Sequence, residues 1–105
     1  MIELDAGANG QKVSVQVGEL LHLSLPENPT TGYRWKLVSA GDPVLELVRD
    51  TFHAPSAERP GRPGSHSWLL RARQPGDACV EVHASRSWES TSSPAEIFIL
   101  RVAAA

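Results

Sequence analysis

The chain has 105 residues, 41% of them hydrophobic and 21% charged, which suits a single domain over residues 1–105 with its own core and argues against disorder. Ten basic residues against twelve acidic ones give a formal charge of −2, so there is no broad positive field for a phosphate backbone and no nucleic-acid partner is expected. No apolar run approaches the roughly 18 to 20 residues of a bilayer-spanning helix, so no membrane partner is expected either.

Residues 1–10 lack the basic patch and apolar run of a signal peptide. The chain as written is therefore expected to be cytoplasmic if complete, and periplasmic or secreted if a signal peptide has been removed, which leaves localisation open. Val13, Val15 and Val17 alternate with Ser14 and Gln16, the period-two pattern of a half-buried strand. After Gly18, where a bulge or bend is expected, Leu21, Leu23 and Leu25 share one face and His22 and Ser24 the other, and Pro26 is expected to end the strand. Tyr33, Trp35 and Leu37 alternate with Arg34, Lys36 and Val38 before a Gly41-Asp42-Pro43 turn, with Trp35 expected in the core.

Leu45 to Phe52 reads as an irregular strand. Ala54 to Ser65 contains three prolines, two glycines and two arginines with no apolar period, and reads as a loop. Trp68, Leu70 and Ala72 alternate with Ser67, Arg71 and Arg73, and a Pro75-Gly76-Asp77 turn follows. Val80, Val82 and Ala84 then face away from Cys79, Glu81, His83 and Ser85, and Phe98, Leu100 and Val102 away from Ile97, Ile99 and Arg101. The terminal alanines read as a frayed tail. No helical period is present. The pattern predicts an all-β, immunoglobulin-like antiparallel β-sandwich of about seven to eight strands, without the Cys…Trp…Cys pattern of true immunoglobulin domains. It requires no partner chain, so a monomer is expected.

Cys79 is the sole cysteine, so the fold relies on packing without an intramolecular disulfide. Cys79, His22, His53, His66 and His83 form no recognised catalytic or chelating spacing, so no catalytic residue, metal site or cofactor is expected.

One loop has unusual chemistry. In Asn28-Pro29-Thr30-Thr31-Gly32-Tyr33, proline fixes its own φ and extends Asn28, the two threonines are stiff, and Gly32 allows a positive φ. A rigid, uncharged finger results, able to enter a cleft without burying an unpaired ion and with little entropy to lose. By themselves these residues leave open a plain turn joining two strands.

The segment Asn-Pro-Thr-Thr-Gly-Tyr after a Leu-rich strand resembles the signature loop of the chagasin-like inhibitors of cysteine peptidases. Gly61-Arg62-Pro63-Gly64-Ser65 is similar to that family's Gly-x-Gly-Gly loop, with Pro63 in place of a glycine. Arg86-Ser87-Trp88 is similar to its Arg-Pro-Trp element, with Ser87 in place of the proline. The resemblance runs from about Val13 to Val102. It implies a non-enzymatic, reversible and non-covalent inhibitor of a papain-like cysteine protease, papain-like or cathepsin-L-like, whose cleft is plugged by three loops at one end of the sandwich. Thr30, Thr31 and Gly32 would enter near the catalytic cysteine and histidine, Gly64 and Ser65 would lie along one side, and Arg86 with Trp88 would hold the other. Trp88 could instead be a core aromatic, but the polar run Glu89 to Ser93 beside it indicates an exposed loop. Arg86 could be an ordinary surface charge. An immunoglobulin-like binding or adhesion module is the alternative function, because a sandwich fold does not fix its use.

Overall fold

Period-two alternation over most of the chain leaves one apolar face per strand, and two such faces pressed together form the core. The structure is a computed structural model and describes residues 1–27, 33–53, 64–86 and 96–105. Eight strands are present among the described residues: β1 Ile2–Leu4, β2 Lys12–Val15, β3 Leu20–Glu27, β4 Tyr33–Ser39, β5 Leu45–His53, β6 Gly64–Ala72, β7 Gly76–Arg86 and β8 Glu96–Ala104. They form two four-stranded sheets, β1-β3-β6-β5 and β2-β8-β7-β4. The interior pairs β3·β6, β5·β6, β4·β7 and β7·β8 are antiparallel, as the alternation led one to expect.

The inner faces carry the residues that the alternation selects. Leu21, Leu23, Leu25, Trp68, Leu70 and Ala72 from one sheet meet Val80, Val82, Phe98, Leu100 and Val102 from the other in one buried cluster. Trp68 is 0% exposed and is the core tryptophan among the described residues. Trp35 was expected in that place but is only half-buried against the cluster, because its indole Nε1 donates to the Pro26 carbonyl at 2.8 Å and is held at the sheet margin.

Other expectations change at the strand ends. The N-terminus adds β1, which pairs parallel to β3, and a 3-10 turn at Ala6–Ala8 capped by Asp5, whose Oδ1 accepts from Gly7 N at 2.9 Å. The chain then crosses to the other sheet, where β2 runs parallel to β8. Val17 lies beyond β2, 44% exposed, and of the bulge or bend expected at Gly18 the structure has the bend, with φ +94° turning the chain back into the first sheet. Pro26 does not end β3, which runs on to Glu27. The β1 pairing stops at Leu4↔Leu23, so β3 has an open side at Pro26, and its carbonyl, pointing that way to Trp35, shows that the missing N–H falls there too. Gly64 and Ser65 belong to β6 rather than to the preceding loop.

The terminal alanines are ordered. Ala103 and Ala104 lie in β8, Ala104 is 8% exposed, and Ala105 donates to the Val15 carbonyl at 3.0 Å while accepting from Val17 N at 3.0 Å. The irregularity of β5 is a bulge between Leu47 and Arg49. At the first residue of β7, Gly76 has φ +144°, and a Cβ there would sit 2.9 Å from Val44 Cγ2.

Two stability outcomes follow. Trp68→Ala is expected to cost about 3–5 kcal/mol in urea unfolding, the range for deleting a large buried aromatic. Deleting residues 103–105 is expected to cost about 1–3 kcal/mol, since Ser14 and Val15 of β2 lose their partners Ala103 and Ala104, whereas a frayed tail would cost nothing.

Candidate functional site

Strand register determines where the connecting segments leave the sandwich. In the first sheet Glu27 pairs with Gly64 and His53 with Ser65, so segments 28–32 and 54–63 are rooted side by side. In the second sheet Tyr33 pairs with Arg86 and Ala84 with Glu96, so 28–32 and 87–95 are also rooted side by side. Segment 28–32 joins the two sheets, and all six roots therefore share one end. The opposite end is closed by short backbone-bonded turns: Gly18 N donates to Ala72 O at 2.8 Å and Arg73 N to Val44 O at 2.8 Å.

Of the residues singled out from the sequence, Tyr33 opens β4, Gly64 and Ser65 open β6, and Arg86 closes β7, all at this end. Asn28, Pro29, Thr30, Thr31, Gly32, Gly61, Arg62, Pro63, Ser87 and Trp88 lie outside the described residues.

Between the sheets, directly below these roots, the core changes character. Glu27 is 2% exposed, and its carboxylate faces inward in line with Leu21, Leu23 and Leu25. Its Oε1 accepts from the backbone N of Trp35 at 2.6 Å and faces His66 Nδ1 at 3.3 Å, while Oε2 accepts from Arg34 Nε at 3.3 Å. The partners come from β4 in one sheet and β6 in the other. A buried carboxylate without donors would be costly, and this one is surrounded by them.

His66 extends the network. Its Nε2 contacts Asp50 Oδ1, and its ring stacks on Trp68 with centroids 4.3 Å apart and planes 7° apart. Phe52 packs edge-on to His66 at 6.3 Å, and the Arg34 guanidinium lies over the Phe52 ring, 5.0 Å from its centroid. The result is a polar and aromatic plate joining β3, β4, β5 and β6 through hydrogen-bonding, stacking, edge-on and cation–π contacts.

Glu27, His66 and Asp50 were not singled out from the sequence, although part of the signal was present. Carrying the Leu21, Leu23, Leu25 alternation one step past Pro26 turns Glu27 inward. Carrying Trp68, Leu70 and Ala72 one step back turns His66 inward. Asp50 could not be found that way, because the bulge at Leu47/Arg49 shifts its parity.

On the outer face of the first sheet the Ser67 hydroxyl lies 3.2 Å from His53 Nε2. Cys79 is exposed, with Arg101 opposite it on β8. His83 Nε2 contacts Glu81 Oε2 at 2.6 Å, and His22 Nδ1 contacts Glu3 Oε2 at 2.7 Å. Among the described residues no group of three or more His, Cys, Asp or Glu side chains could hold a metal ion.

Comparison with known proteins agrees with this geometry. Residues 14–102 match the family model described as Chagasin family peptidase inhibitor I42. The chain is similar to chagasin of Trypanosoma cruzi, 28% identical over 94 residues that cover 86% of each protein. Its fold is similar to that of the cysteine protease inhibitor EhICP2 of Entamoeba histolytica, with a TM-score of 0.84, 21% identity, and coverage of 99% of this chain and 94% of that one. It is also similar to PbICP-C, solved in complex with falcipain-2, with a TM-score of 0.70, 21% identity and full coverage of both chains, 100% each. Matched over most of its length by the family model, the chain belongs to the chagasin family of peptidase inhibitors and is an inhibitor rather than an enzyme.

Proposed function

We propose that the chain inhibits papain-like cysteine proteases reversibly and without covalent chemistry, by setting the three segments rooted at one end of the sandwich across the protease cleft. The carrying observation is the common end itself: Tyr33 opposite Arg86 and Glu27 opposite Gly64 bring three separate stretches of sequence to one rim. Membership of a peptidase-inhibitor family supports the reading, as does a relative of the same fold solved with falcipain-2, a papain-like cysteine protease.

In this reading Asn28, Pro29, Thr30, Thr31, Gly32 and Tyr33 form the central wedge. It carries no charge, so no ion is stranded when the cleft closes over it. Gly61, Arg62 and Pro63, continuing into Gly64 and Ser65, flank one side. Gly64 and Ser65 are held in β6, and Pro63 before them fixes its own φ and removes one backbone donor. Arg86, Ser87 and Trp88 flank the other side, and tryptophan and arginine are the residue types that most often anchor an interface. A standard interface of about 800 Å² per partner would occupy most of this end. The protease's reacting groups meet no cleavable bond in productive geometry, which is how such a wedge blocks turnover without being consumed.

The test is a titration of the protein into papain and into a cathepsin-L-like enzyme, followed with a fluorogenic peptide. Inhibition with a simple reversible dose response is expected, while full activity at micromolar protein would favour the adhesion-module alternative. Trp88→Ala is expected to weaken inhibition by about 30-fold or more, matching roughly 2 kcal/mol for an anchor residue, and Thr31→Ala is expected to weaken it as well. Neither variant is expected to move the thermal midpoint appreciably. Glu27→Gln should behave differently: losing charge-assisted bonds to both sheets is expected to cost about 2 kcal/mol of stability and to weaken inhibition too, because the roots of the wedge loosen together. Thermal melts run beside the inhibition assay separate the two classes.

A further inference from the structure

The outer face of the β1-β3-β6-β5 sheet holds a depression of about 310 Å³ lined by His22, Arg49, Thr51, His53, Ser67 and Leu69. The lining offers a guanidinium, two imidazoles and two hydroxyls, and no carboxylate.

The lining residues reach this face through register. His22, Leu69 and Arg49 lie in one row across β3, β6 and β5, and Ser67 and Thr51 lie in the next. Small side chains in the second row between bulkier neighbours leave the hollow. The bulge in β5 is what supplies the cation. Without the bulge, with Val48 paired in a regular ladder, Arg49 would lie across from Trp68 and turn into the core. With it, Arg49, Thr51 and His53 turn outward while Asp50 and Phe52 turn inward toward His66. The nearest acid along the strand is thereby taken out of the hollow.

Charge pairing points the same way. Arg34 is engaged by Glu27, and Arg71 and Arg73 share Glu46, but Arg49 has no carboxylate within ion-pair distance among the described residues. Glu3 stands near the hollow on β1, and it is engaged by His22 Nδ1 at 2.7 Å. Ser67 is buried, 6% exposed, and its hydroxyl lies 3.2 Å from His53 Nε2, which fixes the imidazole over the hollow. A guanidinium beside imidazoles would repel a metal cation, whereas guanidinium, imidazole and hydroxyl donors converging on a carboxylate-free hollow suit a tetrahedral oxyanion.

We infer that this hollow is an anion-binding site for a phosphate or sulfate group, with Arg49 as the charged anchor, Thr51 and Ser67 as hydroxyl donors, and His22 and His53 as flanking donors. The volume exceeds that of a bare ion, leaving room for the group to arrive either free or as an ester on a larger molecule. The site lies on a sheet face, meets the rim only at His53, the last residue of β5, and does not depend on the protease-inhibitor reading.

The test is an amide NMR titration of the whole chain with inorganic phosphate, inorganic sulfate and glucose 6-phosphate at constant ionic strength. Saturable shifts centred on residues 22, 49–53 and 67–69 are expected, and tighter binding of the sugar ester than of inorganic phosphate would identify an esterified source. Arg49→Gln is expected to weaken binding by about tenfold or more, a size typical of a charge-assisted anchor, with papain inhibition and the thermal midpoint unchanged. His53→Gln is a second, milder variant, expected to weaken binding about threefold. Non-saturating shifts spread over all exposed basic residues, or binding undiminished in Arg49→Gln, would overturn the inference.

Discussion

The loop-bearing end of this sandwich depends on one buried carboxylate. Glu27 sits where the Leu21, Leu23, Leu25 series would place another leucine, and a leucine there would contribute apolar area without direction. A carboxylate instead requires donors at defined positions. It takes them from the Trp35 amide and Arg34 on β4 and from His66 on β6, so the two sheets are joined at this end by bonds with angular preference as well as by packing. Burying the charge is expensive, and such groups seldom add stability over an apolar residue of the same volume. What Glu27 contributes is the spacing between sheets at the roots of three segments.

Most of the scaffold could be read from alternation, because a period of two is preserved wherever a strand has one wet face and one dry face. That condition holds for β3, β6, β7 and β8, and alternation selects their inner apolar residues. It fails at the edges. Ile2 and Leu4 form too short a run to register as a strand, and their parallel pairing with β3 is a long-range event with no local signature. The terminal alanines lack bulk, so nothing in their composition announces that Ala104 is buried and paired. Pro26 carries a strong local signal to stop, which is overridden because β1 ends before reaching it. At the candidate site the recognisable part was the motif in the connecting segments. The Glu27, His66 and Asp50 plate beneath them was not recognised, since a glutamate, a histidine and an aspartate from three strands become neighbours only after the sheets are assembled.

The bulge in β5 links two parts of the molecule that sequence distance would keep separate. One added residue at Val48 inverts the parity of everything after it, which sends Asp50 and Phe52 inward to complete the plate and Arg49, Thr51 and His53 outward to line the hollow. The same residue leaves Leu47 and Val48 partly exposed, a local loss of burial. It also bends an edge strand whose regular backbone would otherwise be open to another chain, and the charged residues Glu46, Arg49 and Asp50 along it act in the same sense.

A wedge that blocks an active site must hold its shape when the partner closes on it, since every degree of freedom frozen on binding is subtracted from affinity. Stiff residues within segment 28–32 address only part of this, because a rigid finger on loose roots still sweeps a large volume. Slipping β3 by a single residue against β6 would turn Glu27 to the outer face, separate it from Trp35, Arg34 and His66, and leave those donors unpaired. Slipping β4 against β7 would displace Arg34 and Trp35 from the same carboxylate. An apolar contact at position 27 would tolerate either movement with a small loss, whereas the carboxylate penalises both heavily. Register at this end is thereby enforced from inside the core, at the strand ends from which segment 28–32 leaves, by a charge that never reaches the surface.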